Sequence, residues 1–260
     1  MAALRKALSN HPLTSFVVAA YILSWWSVPF ANGAIIPYGP FIAALLVLSL
    51  TKGRAGLSEL FRKMTSCPAG WMWLVIAPGL VVLYLGLAFV VNLVLGGTIS
   101  QTSLLGSFGP TLLSLVLLGG MWEEPGWTGF ALPLLQDRNA SRPFGLLEAS
   151  LTMGVIRAVW HLPLMVSGAI PWFDVLFYSM AVQFLISWLH NRSGGSVLPP
   201  MLFHLTSNVV GGGIMISLFS GSDRDLFYGL FVAIACLLAV VLNLPGRWSM
   251  GRRATGASAT

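Results

Sequence analysis

The chain is dominated by long apolar runs, each separated from the next by a short polar or Gly/Pro-rich stretch. Eight such runs can be drawn, at about 13–31, 34–50, 71–95, 111–134, 147–168, 171–190, 197–219 and 226–244. Each approximates the ~20 residues needed to cross ~30 Å of hydrocarbon. Only helices satisfy their own backbone groups in lipid without closing a barrel. The pattern therefore predicts an all-α polytopic membrane helix bundle with about eight transmembrane helices. The runs are of helical length, unlike the ~10-residue alternating segments of an outer-membrane barrel. One stretch has a different period. Leu57, Leu60, Phe61 and Met64 recur at i, i+3, i+4 and i+7, with Arg62 and Lys63 between them. That spacing fits a short amphipathic helix on the membrane surface, or equally a solvated connector.

Composition agrees with the pattern. Of the 260 residues, 56% are hydrophobic and only 8% charged, against about 25% charged in soluble domains. The net charge of +6 is not a nucleic-acid footprint, because the Lys and Arg residues sit in the loops. With a cytoplasmic N-terminus, Arg5, Lys6, Lys52, Arg54, Arg62, Lys63, Arg138, Arg142, Arg192, Arg247, Arg252 and Arg253 all fall on the inner side. Only Arg224 falls outside, and Arg157 lies within a span. The asymmetry predicts a multi-pass plasma-membrane protein with both termini in the cytoplasm. One integral-membrane domain over 1–260 is expected, with a catalytic core at about 111–219 and cytoplasmic tails at 1–12 and 246–260. Arg5-Lys6 before the apolar run from Leu13 mimics a signal peptide. Since further spans follow at once, it reads as a retained first helix. Cys67 and Cys236 are far apart, and no CxxC is present.

The chemistry lies where the pattern is violated. Glu123 and Glu124 stand side by side inside an apolar run, each costing roughly 2.5–3.5 kcal/mol to insert, so they are functional candidates by default. Arg157, His161, Gln183, His204 and Asn208 are the other polar groups at depth. Arg157 and His161 are spaced i, i+4, as are His204 and Asn208, so each pair shares a helix face. At ~1.5 Å rise per residue, Glu123 and Glu124 lie roughly 15–18 Å in, His161 roughly 20 Å, and His204 and Asn208 roughly 10–17 Å. One polar cavity in the cytoplasmic half of the bilayer is expected to hold them, with Pro125-Gly126 and Pro163 loosening the helices beside them. A carboxylate and an imidazole together deprotonate a water. A second imidazole and an amide serve a developing oxyanion. The same residues, as Glu123, His161 and His204, would ligate Zn2+ or another divalent metal if one is used. No HExxH helix is present. Interhelical hydrogen bonding is the bland alternative.

Three motifs together resemble one family. Glu123-Glu124 followed by Gly126-Trp127-Thr128-Gly129-Phe130, then Trp160-His161-Leu162-Pro163, then His204-Leu-Thr-Ser-Asn208 resemble the CAAX-protease and bacteriocin-processing (CPBP, or Abi) intramembrane proteases. The resemblance covers roughly 115–215. It implies a helical membrane endopeptidase with a cavity open to the cytoplasmic leaflet. It also implies that Glu123 is the general base acting with His161 on water, with Glu124 as its neighbour. His204 and Asn208 would stabilise the oxyanion. Members are described as metalloproteases, or, in the prenyl-protein branch, as glutamate-dependent without a ligated metal.

Two positions depart from the family pattern. Thr128 stands where EExxxR has Arg, and Arg157 stands where FxxxH has an aromatic residue. Running in opposite directions, the two helices place both positions at similar depth. Arg157 is therefore expected to supply the missing cation from the fifth span, pairing with Glu124. The expected partners are a peptide or protein substrate, prenylated or leader-bearing, and membrane lipid, with no nucleic acid. The alternatives are a catalytically degenerate scaffold or bacteriocin self-immunity protein using the same cavity for binding, and a small proton-relaying transporter. The transporter reading lacks an inverted repeat. Gln183, Asp174, His190 and His11 are weaker candidates. The sequence names neither the substrate nor the oligomeric state.

Overall fold

A computed structural model of the chain describes residues 2–101, 106 and 108–244, with side chains from residue 5 onward. The expected tail at 246–260 lies outside the described residues. Among those described, there is no strand. In chain order, the first α-helices are α1 (Ala2–Asn10), α2 (Pro12–Trp25), α3 (Gly39–Thr51), α4 (Gly53–Thr65), α5 (Met72–Val94), α6 (Phe108–Leu118) and the single turn α7 (Glu124–Gly126). They are followed by α8 (Leu132–Arg138), α9 (Gly145–Trp160), α10 (Leu162–Val166), α11 (Ser179–Arg192), α12 (Leu198–Thr206) and α13 (Gly221–Leu242). Every apolar run drawn from the sequence contains helix, although 26–31 and 34–38 form turns and irregular chain between α2 and α3. Three stretches are each long and apolar enough to cross a membrane: Met72–Val94, Leu198–Leu218 and Gly221–Leu242.

Burial shows what an all-apolar sequence hides. On α5 the buried residues are Ala77, Val81, Tyr84, Leu85, Ala88 and Asn92, a helical stripe. Val75, Val82, Leu83, Leu87, Val90 and Val94 are exposed. Both faces are apolar, so hydrophobicity does not separate them. Small alanines and the polar tips of Tyr84 and Asn92 mark the protein side, and branched aliphatics mark the lipid side. An exposed apolar surface of this extent is what a bilayer covers.

The bundle has two packed halves. One is built around Phe16, Ala20, Ala43, Ala44, Val47, Trp127, Leu132, Met153 and Trp160. The other is built around Val81, Tyr84, Leu85, Leu185, Ile186, Phe203, Phe227 and Phe231. Two tight contacts fix how the first half carries the acidic stretch. A side chain on Gly39 would overlap Ser24 of α2, and one on Gly126 would overlap the Pro40 carbonyl of α3. Glycine therefore lets α3 touch α7 directly.

The amphipathic stretch forms α4, and its apolar face is spent inside the protein. Leu60 and Met64 are buried in the first core, and Leu60 lies against Gly129. Phe61 stays exposed. Outside the membrane-crossing helices, Lys63 lies 3.0 Å from Glu59 and, by that hydrogen bond, holds its carboxyl below the usual carboxylate range. After α5 the uncharged loop turns back on the bundle. Thr98 donates its backbone N–H and its hydroxyl to Asp223, each at 2.9 Å. Cys67 and Cys236 are free thiols.

Candidate active site

The expected single helix over 111–134 is broken into five pieces. α6 ends at Leu118, and Gly119 is extended (φ −89°, ψ 174°). A 3-10 turn spans Gly120–Glu123, α7 follows, and a π-helical turn covers Trp127–Ala131 before α8. The break thus falls at Gly119, not at Pro125. The reason is local: Pro125 sits in the first turn of α7, where its missing N–H has no intrahelical partner to lose. Pro163 plays the same part in α10, so α9 stops at Trp160 and His161 is the junction. Another π-helical stretch, Ser207–Met215, carries Asn208. Wide helical turns of this kind recur at functional sites.

Glu124 is completely buried and fully engaged. Arg157 Nη2 donates to its Oε1 at 2.8 Å, and His204 Nδ1 lies 2.7 Å from the same oxygen. Thr128 Oγ1 donates to Oε2 at 2.5 Å. The expected pairing of Arg157 with Glu124 is therefore present, and Thr128 fills the other side of the carboxylate. Arg157 is itself buried. Its Nη1 donates to Gln183 Oε1 at 3.3 Å, and Gln183 donates to Ser187 at 2.9 Å. Gln183 thus supports the cation across helices. Glu123 is more loosely held, its Oε2 3.5 Å from Arg157 Nη2.

The freer atoms of the site converge on one point. A Cβ built on Gly120 would lie 2.5 Å from His204 Nε2, 2.8 Å from Glu123 Oε1 and 2.9 Å from Asn208 Nδ2. Three polar atoms from two chain segments thus border the space beside the Gly120 α-carbon. A cavity of about 620 Å3 between α6 and the Ser207–Met215 stretch reaches Asn208, with Thr111, Ser114 and Leu115 on one wall and Gly212 and Gly213 on the other.

His161 stands apart from this convergence. Its Nδ1 is 2.8 Å from the Arg157 carbonyl. A carbonyl only accepts, so Nδ1 carries the proton and Nε2 of the neutral ring keeps its lone pair. Its ring meets Trp160 edge-on, with centroids 4.9 Å apart. No hydrogen bond joins it to Glu123 among the described residues; the link runs through Arg157. The aromatic packing around it is firm. Trp127 is T-shaped against both Phe16 (5.3 Å) and Trp160 (6.0 Å), and Trp25 Nε1 donates to the Trp160 carbonyl at 3.0 Å. The open carbonyls at the end of α9 are thereby used.

The metal set read from the sequence is not gathered. Among the described residues, no group of three His, Cys, Asp or Glu side chains is placed to hold a metal ion. His204 Nδ1 and both oxygens of Glu124 are spent on neighbours, and a guanidinium already lies between the two carboxylates. The weaker candidates lie elsewhere. Asp174 accepts from Tyr228, and buried His190 Nδ1 donates to the Ser196 carbonyl at 2.9 Å. His11 is exposed ahead of α2.

Two features escaped the sequence. One is Gly120, whose only sequence sign is a glycine pair just ahead of the acids. The other is a buried hydroxyl cluster: Tyr84 and Tyr178 lie 2.7 Å apart, and both reach Ser207, beside Asn208.

Comparison with known proteins supports the resemblance over this core. Residues 105–210 match the family model described as type II CAAX prenyl endopeptidase Rce1-like. A curated relative, CAAX prenyl protease 2 of Methanococcus maripaludis, is 27% identical over 139 residues, covering 47% of this chain and 49% of the relative. The chain thus matches about half the length of that relative.

Proposed function

We propose that this chain is an intramembrane endopeptidase that hydrolyses a peptide bond of a membrane-associated substrate with a water activated by Glu123. One observation carries the reading. Glu124 is saturated by three donors, whereas Glu123 Oε1, His204 Nε2 and Asn208 Nδ2 face a common space.

In the proposed reaction, Glu123 takes a proton from water as its oxygen attacks the carbonyl carbon. His161, held with its Nε2 lone pair free, is proposed as a second proton acceptor, linked to Glu123 through Arg157. The oxyanion receives hydrogen bonds from Asn208 Nδ2 and from His204 Nε2, which donates only as the imidazolium because Nδ1 already faces Glu124. Collapse breaks the C–N bond, and Glu123 returns its proton to the leaving amine. Arg157 keeps Glu124 ionised, and Glu124 orients His204. In this reading Arg157 replaces, from α9, the cation that the family motif places at Thr128.

The relative's name makes a CAAX-type prenyl peptide the first substrate to try. From the distribution of Lys and Arg we also propose that both termini are cytoplasmic. Peptides from membranes carrying the wild type and Glu123→Gln should be compared. Peptides that appear only with the wild type, with both proteins present at equal levels, are expected. Identical peptide sets, together with an unchanged biological effect, would favour a binding role instead.

A further inference from the structure

The proposed mechanism gives roles to side chains, yet the point where three of them meet belongs to a residue without one. Gly120 opens the 3-10 turn after the break at Gly119, and it is buried. Its would-be Cβ meets no apolar neighbour among its three nearest atoms. Those atoms are His204 Nε2, Glu123 Oε1 and Asn208 Nδ2. Other glycines of the same region behave differently. Gly126 is tight against backbone of α3, Gly129 against Leu60 and Val197, and Gly109 on α6 meets nothing within 4 Å. All three of Gly120, Gly126 and Gly129 are closely approached, but only at Gly120 are the three approaching atoms the polar side-chain atoms of the site.

We propose that Gly120 is a positioning residue that keeps open the seat of the reacting oxygen between Glu123, His204 and Asn208. The inference rests on the peptidase reading above and adds a steric requirement to it. An acceptor and two potential donors that close on one point beside the Gly120 α-carbon suit first the attacking water and then the oxyanion it generates. A methyl group there would collide with all three atoms and drive Glu123 away from His204 and Asn208. The point of convergence adjoins the cavity along α6, because Asn208 borders both.

The test compares Gly109→Ala, Gly120→Ala, His204→Ala, Gly120→Ala with His204→Ala, and Glu123→Gln. All are purified in lipid nanodiscs and assayed on a fluorogenic CAAX prenyl peptide, with thermal melting measured in parallel. Gly109→Ala should behave as wild type. Gly120→Ala should lose at least 100-fold in kcat with KM within about twofold, since the seat and not substrate binding is blocked. In the His204→Ala background, where the nearest obstructing atom is gone, the further loss from Gly120→Ala should shrink at least tenfold. Should Gly120→Ala alone melt early or fail to fold, the double variant should recover its melting temperature. Near-wild-type kcat for Gly120→Ala, full additivity with His204→Ala, or no recovery of folding would overturn the inference. A dead Glu123→Gln beside a fully active Gly120→Ala sinks only the seat. An active Glu123→Gln sinks the peptidase reading itself.

Discussion

Replacing Arg157 by Met removes the one cation the structure sets between the two acids. Its Nη2 is 2.8 Å from Glu124 and 3.5 Å from Glu123, and its side chain is 3% exposed against 0% for Glu124. Solvent therefore cannot take over the lost contact. Removing one partner of such a buried pair leaves a bare charge and costs about 3–5 kcal/mol. Removing both partners costs far less, because the charge goes too. Arg157→Met should therefore melt well below wild type in nanodiscs, and Arg157→Met with Glu124→Gln should regain most of the difference. Activity should separate from stability. The double variant has lost the anion that orients His204, so peptide cleavage should stay about 10²–10³-fold down, the size of a lost oxyanion donor. The complementary test moves the cation back to the motif helix: Thr128→Arg with Arg157→Phe should cleave, where Arg157→Ala does not. Wild-type melting and full cleavage in Arg157→Met would refute the reasoning. So would a dead Thr128→Arg, Arg157→Phe variant beside a fully active Arg157→Ala.

Three further outcomes follow from the packing. Gly126→Ala forces a methyl into the Pro40 carbonyl and should cost about 1–3 kcal/mol in unfolding measurements, the range for overpacking. Tyr178→Phe removes the hydroxyl shared with Tyr84 and Ser207; it should destabilise by about 1 kcal/mol and lower kcat without raising KM, by loosening the turn that bears Asn208. Leu60→Ala on α4 should cost about 2–5 kcal/mol as a buried truncation, whereas Phe61→Ala beside it, being exposed, should change melting little.

Much of this arrangement was legible before any coordinates. The apolar runs located the helices because lipid leaves the backbone no other solution. Glu123, Glu124, Arg157 and His204 were conspicuous because ions are rare at depth. Even the Arg157–Glu124 pairing followed from two departures and opposite helix directions. The limits are equally physical. α5 is apolar all round, so its sequence cannot say which face meets lipid. Pro125 looked like the breaker, yet proline is at ease in a first turn, and the break moved to Gly119. Gly120 carries no chemistry of its own; its meaning exists only once α6, α7 and α12 are neighbours. Depth along a helix is readable, but not that His161 and His204 each turn Nδ1 to a neighbour.

The most direct measurement is hydrolysis in 18O-labelled water by the purified protein in nanodiscs, with a CAAX prenyl peptide and the products read by mass spectrometry. The account predicts one 18O in the new carboxyl terminus with the wild type, and no product with Glu123→Gln at equal folded amount. Equal cleavage by Glu123→Gln, or a product whose carboxyl carries no label, would contradict it.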